Sequence, residues 1–90
     1  MNTKISQLEQ CFEAAKESNS LYVAVKMQMQ GFEKPEVIVN EKENFDTKLA
    51  YYKKAYDEDL VLKTFKGIKI VNFAFGNEPN FIFDYLKDTK

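Results

Sequence analysis

The densest chemistry in this chain is carboxylate. Asp57-Glu58-Asp59 sets three acids in a row, and clustered oxygens are what a hard divalent cation takes as ligands. A calcium loop also needs alternating ligands, a turn glycine and a distal glutamate. None stands at the right spacing here, so the triple reads as a solvated helix exit. Glu58 and Asp84 could in principle act as acid and base, since glycoside hydrolysis needs only two carboxylates. Among fourteen acids such pairs arise by number alone. A chain of 90 residues is also too small to build a deep cleft around one.

The missing residue types exclude more than the present ones suggest. There is no histidine, arginine or tryptophan, and one cysteine, Cys11. Nucleophilic Ser-His and Cys-His pairs, His/Cys zinc sites and the bidentate Arg fork are therefore absent. The reading is a non-enzyme with no catalytic residue, no metal site, no cofactor and no evident small-molecule ligand. Cys11 lies between Gln10 and Phe12 in a helical pattern and is expected to be a buried, inert thiol. A lone cysteine forms no internal disulfide, which fits a reducing cytoplasm.

Lysines and aromatics offer a different chemistry. Lys53, Lys54, Lys63, Lys66 and Lys69 lie among Tyr51, Tyr52, Phe65 and Phe73. Basic grooves with stacking rings bind single strands. Against this stand the neighbouring acids, the missing arginine and the lack of any helix-turn-helix, ribonucleoprotein or glycine-loop pattern. A net charge of −1 gives no global field to steer nucleic acid or an anionic membrane. No apolar run approaches the ~20 residues that span a bilayer, and Met1 to Gln10 does not read as a secretory signal. All basic residues are lysine, beside eight Phe and five Tyr, the bias of an AT-rich coding sequence.

The elements that must position these groups follow from periodicity. The length fits a single domain over 1–90, with 85–90 expected to fray. Ile5, Leu8, Phe12 and Ala15 recur at helical spacing over 4–17, with Asn2 or Thr3 as cap. Leu21 to Gln30 alternates strictly, the mark of a half-buried strand. Gly31 to Glu36 is a loop, and Val37-Ile38-Val39 a short strand antiparallel to the first. Asn40 with Glu43 has capping-box spacing and is expected to open the second helix, with Asn44 as rival cap. Phe45, Leu49, Tyr52 and Tyr56 form its apolar stripe, leaving Tyr51 beside it and exposed.

Leu60 to Phe75 reads as a β-hairpin. A three-residue loop, Phe65-Lys66-Gly67, opposes Thr64 to Ile68, Leu62 to Ile70 and Val61 to Val71, so apolar meets apolar. It also sets Lys63 against Lys69, a like-charge pair. Residues 81–86 fit either period: Phe81, Phe83 and Tyr85 alternate, while Ile82, Tyr85 and Leu86 suit a helix. Pro79 favours a short helix.

The expected fold is α+β, in the order α-β-β-α-β-β-(α), with a mostly antiparallel sheet and two main helices on one face. The other face carries Tyr22, Ala24, Phe73 and Phe75, so either the last segment covers it or a partner does.

The stretch Val37 to Phe45, then Leu49, Tyr51 to Tyr56, Asp59 to Lys63 and Ile68 to Gly76, resembles small uncharacterised phage and prophage proteins of low-GC Gram-positive bacteria. The likeness covers about half the chain as general texture and carries over no functional residue. It implies a phage accessory protein in the bacterial cytoplasm. The expected function is a non-catalytic module that binds a protein partner or itself through a sheet face or strand edge, using Tyr22, Tyr51, Phe73 and Phe75. Nucleic-acid association through the five lysines is the alternative.

Overall fold

The sheet is three-stranded and antiparallel, with β1 (Tyr22–Met29) between β2 (Glu36–Glu41) and β3 (Ile68–Gly76). Val23 to Met27 are buried on both faces of β1, not on the one face that the alternation implies. A computed structural model describes residues 4–88. Helix α1 (Ile5–Glu17) precedes β1, and β2 (Glu36–Glu41) returns beside it with Val25 opposite Ile38. A single 3-10 turn leads into α2 (Phe45–Ala55). The chain then crosses to the far side of β1 as β3 (Ile68–Gly76) and ends in α3 (Pro79–Asp88). The class is α+β, as the sequence implies.

The two periods converge on one main core. Leu8, Phe12 and Ala15 of α1 and Phe45 and Tyr52 of α2 bury against Val23, Val25, Met27 and Ile70 of the sheet. The Phe12 and Phe45 rings meet edge to face at 5.4 Å, the arrangement the ring quadrupole favours. The opposite face is covered by α3, whose Ile82 and Leu86 bury against Ala24. Residues 81–86 are therefore helical. The expected fray does not begin at 85, because Leu86 is fully buried.

Three expectations give way. Asn40 does not cap a helix but stays in β2, buried, where its amide donates to the Val23 carbonyl at 3.1 Å and to the Tyr52 hydroxyl at 3.3 Å. Asn44 occupies the cap position of α2 without a side-chain bond. Asn2 and Thr3 lie outside the described residues, and Gln7 bonds the backbone N–H of Lys4 at the start of α1.

The hairpin register is offset by two residues. Val61 opposes Lys69, and the Leu62 N–H donates to the Ile68 carbonyl at 2.9 Å. The turn is correspondingly longer and no fourth strand forms: residues 60–62 contribute only isolated bridges. An even offset leaves every side chain on its face, so the apolar pattern does not discriminate between the two registers. Lys63 escapes its expected like-charge partner.

A β-bulge makes the third correction. Met27 pairs with Ile70 but Lys26 pairs with Asn72, so Val71 is an extra residue on β3. Beyond it the parity flips. Phe73 opposes Val25 and Phe75 opposes Val23 on the α1 side, while Ala74 joins Ala24 under α3.

Candidate protein-interaction edge

Strand β3 is an edge strand, and the described residues shield its first half. Residues 60–62 lie along Ile68–Ile70, with the Ile70 N–H donating to the Leu60 carbonyl at 2.9 Å. Among the described residues no strand lies beside 72–76. The Phe73 N–H donates to the Oδ1 of Asn72 at 2.9 Å, so it points away from β1. Backbone groups alternate sides along an antiparallel strand, which puts Phe75 on the same outer edge. A row of outward N–H and C=O groups is a template for another extended chain.

Two helices wall this edge into a groove of about 540 Å³ whose floor is Phe73, Ala74 and Phe75. Helix α1 supplies Gln7, Gln10 and Cys11 on one side. Helix α3 supplies Phe81, Ile82 and Tyr85 on the other. None of these nine residues carries a formal charge. Burial pushes the Cys11 thiol up to about 11, so it stays protonated and behaves as an apolar group. Phe81 is 76% exposed, Tyr85 55% and Phe75 40%. Three large rings left in water around one open strand edge form the type of surface that marks an interaction site.

The residues expected to share a binding surface do not all meet. Phe73 and Phe75 belong to the groove. Tyr22 lies on the other face of the sheet, half-buried against the α3 cluster. Tyr51 is exposed on α2, its ring set against Tyr52 at 5.5 Å and Tyr56 at 6.5 Å. The bulge separates Tyr22 from Phe73. Gln7, Gln10, Cys11, Phe81 and Tyr85 enter the site without having been singled out for it. The signal for the last two is their i, i+4 spacing beside the buried pair Ile82 and Leu86.

The lysine set is also divided. Lys54 and Lys63 line a shallow hollow of about 520 Å³ with Tyr51 and Thr64. Lys53 instead pairs with Glu9 at 2.7 Å. Lys69, on β3, helps lower the Asp59 carboxyl, behind the larger effect of Lys4, which pairs with it directly. Lys66 is exposed in the turn before β3 and lines neither hollow.

The acids serve structure. Asp57 accepts the backbone N–H of Asp59 at 2.9 Å and of Val61 at 3.0 Å, which fixes the exit from α2. Among the described residues no three potential metal ligands cluster. Glu58 and Asp84 do not approach each other: the Glu58 carbonyl meets the first residue of α1, and α3, which carries Asp84, packs on the opposite face. No described helix is long and apolar enough to cross a membrane. No protein-family model, curated protein or solved structure matches the chain.

Proposed function

We propose that this chain is a non-catalytic protein-interaction module that adds an extended segment of another chain to the open half of β3. The observation that carries this reading is the uncharged, ring-lined groove whose floor is an unshielded strand edge. Strand addition takes its affinity from backbone hydrogen bonds and its selectivity from alternate side chains seated in flanking pockets. The edge offers the bonds, and α1 and α3 offer the pockets. We propose further that the module works in the cytoplasm of a phage-bearing bacterium, a reading supported by the lone cysteine and by the textural likeness to phage and prophage proteins.

The test uses the tagged chain as bait in bacterial lysate containing an untagged copy of itself, with and without nuclease, beside a Phe75→Lys bait. Protein held by the wild-type bait after nuclease treatment and lost by the variant supports the reading. Equal retention by both baits, or loss of all protein with nuclease, overturns it.

The hollow that joins Tyr51 to Lys54 and Lys63 favours a second reading, weak association with single-stranded nucleic acid. Binding that falls steeply with salt and is lost in Lys54→Ala/Lys63→Ala would support it. No binding at low salt removes it.

A further inference from the structure

We infer that the occupant of this edge is a second copy of the same chain, paired antiparallel to β3 about a two-fold axis at Ala74. The inference rests on the strand-addition reading and goes beyond it by naming the partner.

Three observations point to self-pairing. The stretch of β3 with no described strand beside it, residues 72–76, has Ala74 at its midpoint, and the residues flanking Ala74 are both phenylalanine. An axis there sets Phe73 opposite Phe75 of the second copy, and Phe75 opposite its Phe73. These are the residues whose backbone groups face outward, so both pairs are hydrogen-bonded ones. Any shift toward Ile70 runs into residues 60–62, which already cover that half of the strand.

Charge gives the second argument. A two-fold interface sets each surface against itself, so a charged lining would repel its own image. None of the described residues that line this groove is charged. It accepts its own copy without electrostatic cost, and an acidic or basic segment would find no counter-ion in it.

Area is the third. A phenylalanine or tyrosine side chain buries roughly 200 Å². At their observed exposures, Phe75, Phe81 and Tyr85 together offer about 350 Å² per copy, near half of the ~800 Å² per partner of a stable interface. The α1 walls, with Gln7 and Gln10, and the β3 edge lie alongside. Pairing makes one six-stranded sheet, β2-β1-β3 joined to its image, and no open half of β3 remains. Asn72, which holds the Phe73 N–H in the single chain, gives it up to a carbonyl of the second copy.

The geometry supplies a sharp test. Ala74 faces its own image as a non-hydrogen-bonded pair, with Cα atoms about 4.5 Å apart, inside the roughly 4.4–6.8 Å that a disulfide bridges. Ala74→Cys in a Cys11→Ser background should therefore form an intermolecular disulfide on mild oxidation. Asn77→Cys in the same background, beyond the paired stretch, should not. Analytical ultracentrifugation of the purified wild-type chain should give twice the 10.5 kDa chain mass. Phe75→Lys and Phe81→Asp, both at exposed positions, should sediment as monomers while keeping the wild-type circular dichroism.

A wild-type chain that stays monomeric at millimolar concentration overturns the inference. A dimer that survives both substitutions, or crosslinks no better at 74 than at 77, overturns it as well by placing the interface elsewhere. The bait experiment separates the two levels. A monomer that still loses a foreign protein on Phe75→Lys ends self-pairing and leaves strand addition standing.

Discussion

Asn40 of β2 and Tyr52 of α2 meet inside the main core, the amide nitrogen 3.3 Å from the phenol oxygen. The same amide nitrogen reaches the Val23 carbonyl of β1 at 3.1 Å. One side chain thus ties two strands and a helix together where water is excluded. It also fixes register, because a slip of β2 by one residue would turn Asn40 onto the α3 face.

Removing either partner should be costly in different degrees. Tyr52→Phe loses a neutral hydrogen bond, and about 1 kcal/mol of stability should go with it. Asn40→Leu leaves the hydroxyl without its amide partner and should cost about 2–3 kcal/mol. Urea unfolding followed by circular dichroism measures both. Equal losses would show that the amide bonds contribute little beyond volume.

Alkali should unfold the chain earlier than its small size alone requires. Burial holds the Cys11 thiol up to about 11, from an ordinary 9.0, and the Tyr56 phenol up to about 12, from 10.0. Tyr52 shifts the same way, for the same cause. The folded state keeps protons that the unfolded chain has already released. Stability is therefore full below about pH 9 and declines as pH rises toward 12. Urea midpoints across that range should fall steadily, and Cys11→Ser should flatten the first part of the decline. A flat profile to pH 11 contradicts the shifts.

Helix α3 should be an integral layer. Leu86 is fully buried and Ile82 nearly so. Leu86→Ala should cost about 2–4 kcal/mol, the range for a buried leucine whose site relaxes only partly. Thermal unfolding should stay a single transition. A loss below about 1 kcal/mol would show α3 to be loosely held.

The end of α1 offers a stabilising change. Asn19 sits just past the helix at φ 57°, and the Ser20 N–H returns to the Ala15 carbonyl at 2.8 Å. That conformation strains a residue with a Cβ and is relaxed for glycine. Asn19→Gly should raise stability by about 0.5 kcal/mol, net of the extra freedom it gives the unfolded chain. A measured loss would mean that this freedom outweighs the relieved strain.

Much of this fold is legible in the sequence because strong periods coincide with burial. The α1 stripe, the β1 alternation and the Phe45-Tyr52-Tyr56 stripe all fall in the main core. What misleads has a physical cause in each case. Asn40 and Glu43 have the spacing of a cap, but a buried carbonyl on β1 takes the Asn40 amide instead. The hairpin pattern is satisfied equally by two registers, since both are even. The Phe81, Phe83 and Tyr85 alternation resembles a strand, yet all three rings are exposed and the buried residues are Ile82 and Leu86.

The candidate site was half visible for the same kind of reason. Phe73 and Phe75 stand out as apolar residues beyond the turn. Their company depends on the bulge at Val71, and nothing local in the sequence announces a bulge. Tyr22 falls on the wrong side of the sheet by that one residue.

The topology also orders events in time. Strand β2 follows β1 directly and forms with it a hairpin that closes within microseconds. The other flank of β1 waits for β3, which is made only after α2 and the turn beyond it. Until then Val23 and Val25 have one neighbour strand instead of two, and the aromatic stripe of α2 has no complete sheet to cover. The β1–β3 pairing, from Tyr22 with Gly76 to Met29 with Ile68, joins distant parts of the chain, and the folding rate should follow the cost of closing that long loop more than the propensity of any helix.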